Sequence, residues 1–360
     1  MKILILTNSD VGLYLFRKEL ISELLKYNEV HIALPFGDYI TKFKDMSCKL
    51  YDTSMDRRGM NPIKDFGLLT KYFFLEKKIQ PDLVVTYTIK PNIYGGIISS
   101  IRGVHYACNI TGLGTAFETG GLVRKFVSIM YRLALKKAKV VFFENKNNRD
   151  FFKKEKLVRK SQQCVLNGAG VNLSSHVLLP YPEDKQVFYF LFMGRVMKEK
   201  GIDELLLVVK RLNEEGNPCF LDIVGEMEEN HRSIIKKFEK KSWIRYHGFQ
   251  SDVKPFIEKS HCAVLPSWHE GMSNTNLECA AAGRPIITSN IPGCREAVIE
   301  EVTGYLSEAK NSSSLYFCMK KMMKLTYEER KKMGELGREH MERYFDRQLV
   351  IHKTLDRLMG

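Results

Sequence analysis

Two glutamates, Glu270 and Glu278, stand with seven residues between them in the stretch PSWHEGMSNTNLECAAAGRPIITSNIPGCREAV, Pro266 to Val298. An apolar strand, Cys262 to Leu265, runs into this stretch, and Pro285 to Ser289 begins another. Between the acids lie Gly271, Met272, Ser273 and two asparagines, and an alanine-rich helix is expected from about Thr275 to Ala282, closed by Gly283. A loop whose free backbone N–H groups feed a helix N-terminus is an anion site. The helix dipole adds roughly half a positive charge there. Every parallel-sheet protein contains such units, so the loop alone argues for nothing. The acids carry the argument. Glu270 lies in front of the helix. Glu278 lies one turn inside it, where Leu277, Cys279 and Ala280 to Ala282 leave almost no polar face. An acid in that setting points to a hydroxyl-rich ligand.

A second cluster, MGRVMKEKG, places Gly194-Arg195 and Lys200-Gly201 just after an apolar strand that ends near Phe192. That is the edge of a parallel sheet at which open α/β proteins bind ligands. An arginine fork and a lysine point charge five residues apart suit a diphosphate. Alone, the cluster reads equally well as a solvated basic loop. Joined to Glu270 and Glu278, it reads as the second wall of a phosphate and hydroxyl pocket. Other signatures are missing: no G-x-G-x-x-G, no G-x-x-x-x-G-K-[ST], no H-E-x-x-H and no Asp-x-Asp pair. No metal site and no cofactor are expected, so side chains and helix ends must meet any diphosphate charge.

The elements that position these residues alternate strand and helix along the whole chain, which predicts doubly wound α/β domains. Strands are expected at Lys2–Thr7, Val30–Pro35, Leu83–Tyr87, Tyr106–Ile110 and Val140–Glu144, with helices between them that include Leu13–Lys26, Ile63–Lys78 and Leu122–Lys139. A loop-like segment, Val165 to Pro182, leads to a second half in the same style. The boundaries follow as 1–172 for a first Rossmann-like domain, 173–340 for a second and 341–360 for a C-terminal helix that packs back on the first. The expected architecture is two such domains facing each other across a cleft that holds the ligand.

The 360 residues suffice for two full cores. Eight scattered cysteines without a C-x-x-C pair argue against a zinc site or disulfide framework and for a reducing compartment. The opening MKILILTNSD has too short an apolar run for a signal peptide, and no window reaches the ~18 apolar residues of a spanning helix. The charge is lopsided. Residues 1–172 hold 28 lysines and arginines against 15 acids, so nearly all of the net +14 lies in the first half. That predicts a polyanionic partner for this half: anionic lipid, lipid phosphate or nucleic acid.

GRVMKEKG, the glutamate pair of EGMSNTNLE and AAGRPIITSNIPGCREAV together resemble retaining glycosyltransferases of the GT-B group, whose members share two glutamates with seven residues between them. FRKEL (Phe16 to Leu20), DRRGMNP (Asp56 to Pro62), YTIKPNIYGG (Tyr87 to Gly96) and ITGLGTAF (Ile110 to Phe117) resemble the subgroup that extends undecaprenyl-diphosphate-linked glycans with galactose or N-acetylhexosamines in capsule, O-antigen and N-glycan assembly. The resemblance covers nearly the whole chain and implies roles for matching positions. Arg195 and Lys200 would hold the nucleotide diphosphate and take up leaving-group charge. Glu270 would bind donor-sugar hydroxyls with the backbone N–H groups of Met272, Ser273 and Asn274. Glu278 would bind the ribose, Gly12 would let the backbone approach the phosphates, and the base would lie near His247 to Gln250. Two departures stand out. The first loop has one glycine where relatives often have two. Thr111-Gly112 also stands where relatives often have a histidine, and His105 reads as a surface or capping residue. Asp10 reads either as an acceptor contact or as a helix cap, and Glu118 is a further acceptor candidate.

Helix Leu122–Lys139 sets Arg124, Lys125, Arg132 and Lys136 beside Phe126, Ile129 and Leu133. It reads either as a membrane-surface helix, with Arg57 and Arg58 meeting lipid diphosphate, or as a sheet-packing helix with a solvated basic face. The function expected is metal-independent transfer of a hexose or N-acetylhexosamine from a UDP-sugar to a polyprenyl-diphosphate-linked saccharide, at the cytoplasmic face of the cell membrane. The rivals are a sugar-nucleotide epimerase or phosphorylase on the same fold, and a basic non-catalytic protein binding membrane or nucleic acid. The chain lacks the aromatic–basic interleaving of RNA binders, so nucleic acid is not an expected partner.

Overall fold

The computed structural model describes residues 1–55, 62–112, 121–184 and 186–360. The chain forms two compact units: residues 1–169 with 350–360, and residues 170–349.

Unit 1 carries a seven-stranded parallel sheet. Its strands are β1 (Lys2–Leu6), β2 (Glu29–Leu34), β3 (Lys49–Asp52), β4 (Leu83–Tyr87), β5 (His105–Ile110), β6 (Val140–Phe143) and β7 (Gln163–Val165), in the order β3-β2-β1-β4-β5-β6-β7. The central strands are continuous apolar runs such as KILIL and LVVTY, as strands covered on both faces require. Ile3 and Ile5 pack on one face with helix Asp10–Leu25 and with Val350, Ile351 and Leu358 of the C-terminal helix. Leu4 and Leu6 pack on the other, under helices Pro62–Ile79, Gly96–Arg102 and Gly121–Leu135.

Unit 2 carries a six-stranded parallel sheet: β8 (Phe188–Met193), β9 (Cys219–Val224), β10 (Ile244–Tyr246), β11 (Cys262–Leu265), β12 (Ile286–Ser289) and β13 (Gly304–Ser307), in the order β10-β9-β8-β11-β12-β13. In both units the strand order reverses beside the first strand. The switch points therefore lie between β1 and β4 and between β8 and β11, where such sheets open a crevice at the strand C-termini. No helix among the described residues is long and apolar enough to cross a membrane.

Strands β7 and β13 and helix Ile40–Asp45 fall where the sequence reading named no element. QCV and GYLS are too short and mixed to show a pattern. They become strands because a neighbouring strand end supplies their partners.

Candidate active site

The switch point of unit 2 joins the two sequence clusters. The loop after β8 brings Lys200, and the loop after β11 brings Glu270. Their side chains form an ion pair at 17% and 13% exposure, and Ser267 Oγ donates to the same Glu270 oxygen at 2.9 Å. Gly201 makes the approach possible. It is left-handed (φ +72°), and a Cβ there would stand 2.1 Å from the Pro266 carbonyl oxygen. Trp268 locks the loops together: its backbone N–H donates to Glu199 O at 2.9 Å and its Nε1–H to Glu204 Oε1 at 3.1 Å. His269 Nε2 stands 3.3 Å from Glu199 Oε2.

The helix between the acids runs Asn274–Ala281, one residue ahead of the expected start, because Ser273 takes the cap and accepts from Asn276 N–H. Its first turn is pinned to three strand ends. Thr275 Oγ1 donates to Met193 O of β8 at 3.0 Å. Asn276 Nδ2 donates to Thr288 Oγ1 of β12, which donates on to Leu265 O of β11 at 2.7 Å. Among the described residues no acceptor meets the N–H of Met272 or Asn274. Ser273 departs from the sequence reading: its N–H is already spent on Gly293 O at 2.7 Å, so it is not offered to a ligand.

Glu278 lies half-buried one turn into the helix, among buried Leu277, Cys279, Ala280 and Ala281. Its carboxylate has no hydrogen-bond partner among the described residues. Burial pushes its pKa up to about 7, against a partial pull downward from the Arg347 guanidinium. Arg347 is itself buried and donates to Gly170 O. Nothing in the sequence pointed to it, because it reaches the acid only through the pairing of Val171 with Phe345 and Arg347.

Arg195 does not join Lys200. Its guanidinium is half-exposed and paired with Glu228 at 2.7 Å, beside the loop after β9. Gly194 sits where that loop crosses: Gly225 would place a Cβ 1.9 Å from Gly194 O. His247 is held by Asp222 at 2.6 Å and lies against Phe256, and Gln250 donates to His247 O. Arg284, fully buried behind the site helix, donates to the carbonyls of Ile257, Leu179, Ala282, Gly283, Pro180 and Glu258. That role was invisible in the motif that contains it.

In unit 1, Gly12 is not in a loop. It lies in the first turn of helix Asp10–Leu25, and its N–H is taken by Ser9 Oγ at 3.1 Å. Ser9 is the cap. Asp10 is drawn aside by Tyr39 N–H, which donates to its Oδ2 at 3.1 Å. His105 is exposed at the start of β5, the edge opposite the switch point. Lys125, Arg132 and Lys136 are exposed. Arg124 is half-exposed, paired with Glu155 at 2.8 Å and lying over Phe151. Arg57, Arg58 and Glu118 lie outside the described residues.

Residues 2–145 match the family model "Glycosyl transferase 4-like", and residues 180–340 match "Glycosyl transferases group 1". The chain is 26% identical over 335 residues to the N,N'-diacetylbacillosaminyl-diphospho-undecaprenol alpha-1,3-N-acetylgalactosaminyltransferase of Campylobacter jejuni, covering 88% of this chain and 87% of that one. It is 25% identical over 296 residues to the UDP-Gal:alpha-D-GlcNAc-diphosphoundecaprenol alpha-1,3-galactosyltransferase of Escherichia coli, covering 76% and 75%. The crystal structure of Anabaena HepE in complex with UDP-glucose superposes with a TM-score of 0.80 at 16% identity, over 99% of this chain and 100% of that one. With one glycosyltransferase model on each sheet unit and relatives that span both, the chain belongs to the GT-B glycosyltransferases.

Proposed function

We propose that the protein transfers a hexose or N-acetylhexosamine, with retention of configuration and without a metal, from a UDP-sugar to a polyprenyl-diphosphate-linked saccharide in surface-polysaccharide or glycan assembly. It would work as a peripheral protein on the inner face of the cell membrane. The observation that carries this reading is the Lys200–Glu270 pair at the unit 2 switch point, with Glu278 unbonded one turn behind it. The names of the Campylobacter and Escherichia relatives, which specify undecaprenol-diphosphate-linked sugars, support the acceptor class. The UDP-glucose held by HepE supports the donor class.

In this reading the diphosphate draws Lys200 away from Glu270 and Arg195 away from Glu228. Their charges then stabilise the negative charge that develops as the sugar–phosphate bond breaks. Glu270, freed of its lysine, accepts from sugar hydroxyls, while the N–H groups of Met272 and Asn274 face the donor. Glu278 accepts from the ribose, and the base lies against the backbone of His247 to Gln250. The acceptor hydroxyl attacks the anomeric carbon on the face from which the phosphate departs. A new glycosidic C–O bond forms, the C–O bond to phosphate breaks, and the hydroxyl proton passes to a departing phosphate oxygen.

Lys200→Ala and Glu270→Ala are each expected to lower transfer from a UDP-sugar to a lipid-diphosphate acceptor by at least about 10²-fold, with melting temperatures close to wild type. Full activity in either variant overturns the assignment.

A further inference from the structure

Three helices cover one face of the unit 1 sheet side by side: Pro62–Ile79, Gly96–Arg102 and Gly121–Leu135. Their inner residues, among them Leu68, Tyr72, Ile98, Val127, Tyr131 and Leu135, are buried in one cluster with Leu4, Leu6 and Phe143 of the strands. Their outer residues are not what a soluble surface carries. Phe66, Phe74, Ile101, Phe126, Ile129 and Leu133 are each 52–69% exposed. Phe66 and Phe74 stand about two turns apart on the first helix, and Phe126, Ile129 and Leu133 form a stripe on the third. Single exposed apolar residues need no explanation, but six large ones on adjoining helices do.

The charges on this layer select the partner. Lys71, Lys77, Lys125 and Lys136 are exposed among the apolar residues. The described acids on these three helices are both withdrawn from the surface. Asp65 is paired with Lys90 at 2.7 Å. Glu76 is fully buried, where it accepts from Ser99 Oγ and lies near Arg102. The result is an apolar and basic face with no exposed acid among its described residues. Anionic lipid offers the matching chemistry, with phosphates for the lysines and an acyl boundary for the phenylalanines.

We infer that the outer face of these three helices is a lipid-docking surface that seats unit 1 on an anionic bilayer. The inference rests on the lipid-linked acceptor reading and extends it. The first two helices, which the sequence did not mark for membrane, join the third because the fold lays them beside it. Docking through three helices fixes how unit 1 is oriented on the bilayer, which one amphipathic helix alone does not.

The test uses the full chain, because residues 350–360 complete the core of unit 1. Vesicles of phosphatidylcholine with about one-third phosphatidylglycerol should bind the wild type, and binding should fall as salt rises. Phe66→Ser with Phe74→Ser should weaken that binding by about tenfold or more, because two large apolar side chains no longer leave water. Turnover of a short-chain, water-soluble lipid-diphosphate acceptor should stay at the wild-type level. Three results overturn the inference: no vesicle binding by the wild type at low salt, wild-type binding by the double variant, or a wild-type dimer that the double variant dissociates. Failure of every form to turn over the soluble acceptor, with vesicle binding as expected, would strike the transferase reading and leave the surface standing.

Discussion

At the switch point of unit 2, Lys200 and Glu270 from the two loops hold each other, and among the described residues only Ser267 shares the carboxylate. At the switch point of unit 1, the charges are committed to holding the scaffold. Asp10 accepts from Tyr39 N–H. Arg17 is buried, paired with Glu144 at 2.9 Å and lying over Tyr87. What marks the unit 1 loop is backbone. Thr88, just after β4, is β-branched yet sits at φ +72°, with its Oγ1 buried and unpartnered, and a single π-helical turn follows at Pro91–Gly95. A pair whose members both answer to one ligand can exchange partners without stranding a charge. A charge fixed to backbone or sealed in a core cannot. On the proposed function, the contrast places donor recognition at the unit 2 switch point and leaves the unit 1 switch point to shape the acceptor's surroundings through geometry.

The largest effect that tests this contrast is a pH dependence in unit 2. Glu278 holds its proton up to about pH 7, and in the proposed role the carboxylate accepts from ribose hydroxyls more strongly than the neutral acid does. UDP affinity, measured by calorimetry, should rise about tenfold from one pH unit below 7 to one above. Glu278→Gln should bind more weakly at high pH and show a flat profile. A flat wild-type profile would remove Glu278 from the site. The sign for stability is opposite. The folded pKa is raised from 4.5 to about 7, so the unfolded chain releases this proton first, and stability falls as pH climbs between those values. Glu278→Gln should lose that part of the decline. Glu76, also raised to about 7 by burial, contributes its own decline in both proteins.

A smaller effect concerns the lock between the loops. Trp268→Phe keeps an aromatic six-membered ring beneath Lys198 and Lys310 but removes the hydrogen bond to Glu204. If the loss of a partly exposed hydrogen bond of about 1–1.4 kcal/mol falls on kcat, it corresponds to a roughly five- to tenfold decrease. KM for the donor should change little, since Lys200 and Glu270 remain. A change in KM alone would mean that Trp268 touches the donor instead of positioning the pair.

The smallest effect lies in unit 1. Thr88→Gly removes a left-handed β-branched residue and an unpartnered hydroxyl, at the cost of a more flexible unfolded chain. A net gain of up to about 1 kcal/mol is expected in urea unfolding. A destabilised variant would show that Thr88 is not strained, and the contrast would lose its unit 1 half.

The parts of this site that were legible in the sequence are those fixed by local chemistry. Glu270 and Glu278 declare themselves by spacing, and Lys200 by standing after an apolar strand. The partnerships were not legible. Trp268 finds Glu204 because β8 and β11 are neighbours in the sheet, an adjacency that no local pattern encodes. Glu228 captures Arg195 for the same reason, through the neighbouring β9. Asp10 read as a possible cap, but Ser9 takes that place, while the N–H of Tyr39, far along the chain, donates to the Asp10 carboxylate. The alternation of strand and helix was readable almost throughout. It failed at β7 and β13, whose pairing partners supply what their few residues do not.

Unit 2 is one uninterrupted stretch of sequence, and residues 350–360 of unit 1 are made after all of it. A ribosome that has finished every strand of both sheets has still not supplied Val350, Ile351 and Leu358, which unit 1 needs to close its core. Unit 1 therefore waits through the synthesis of all of unit 2 before its folding can complete. A message cut short at residue 349 would yield a complete second unit beside a first one whose core lacks Val350, Ile351 and Leu358. The half that is begun first is the half that is finished second.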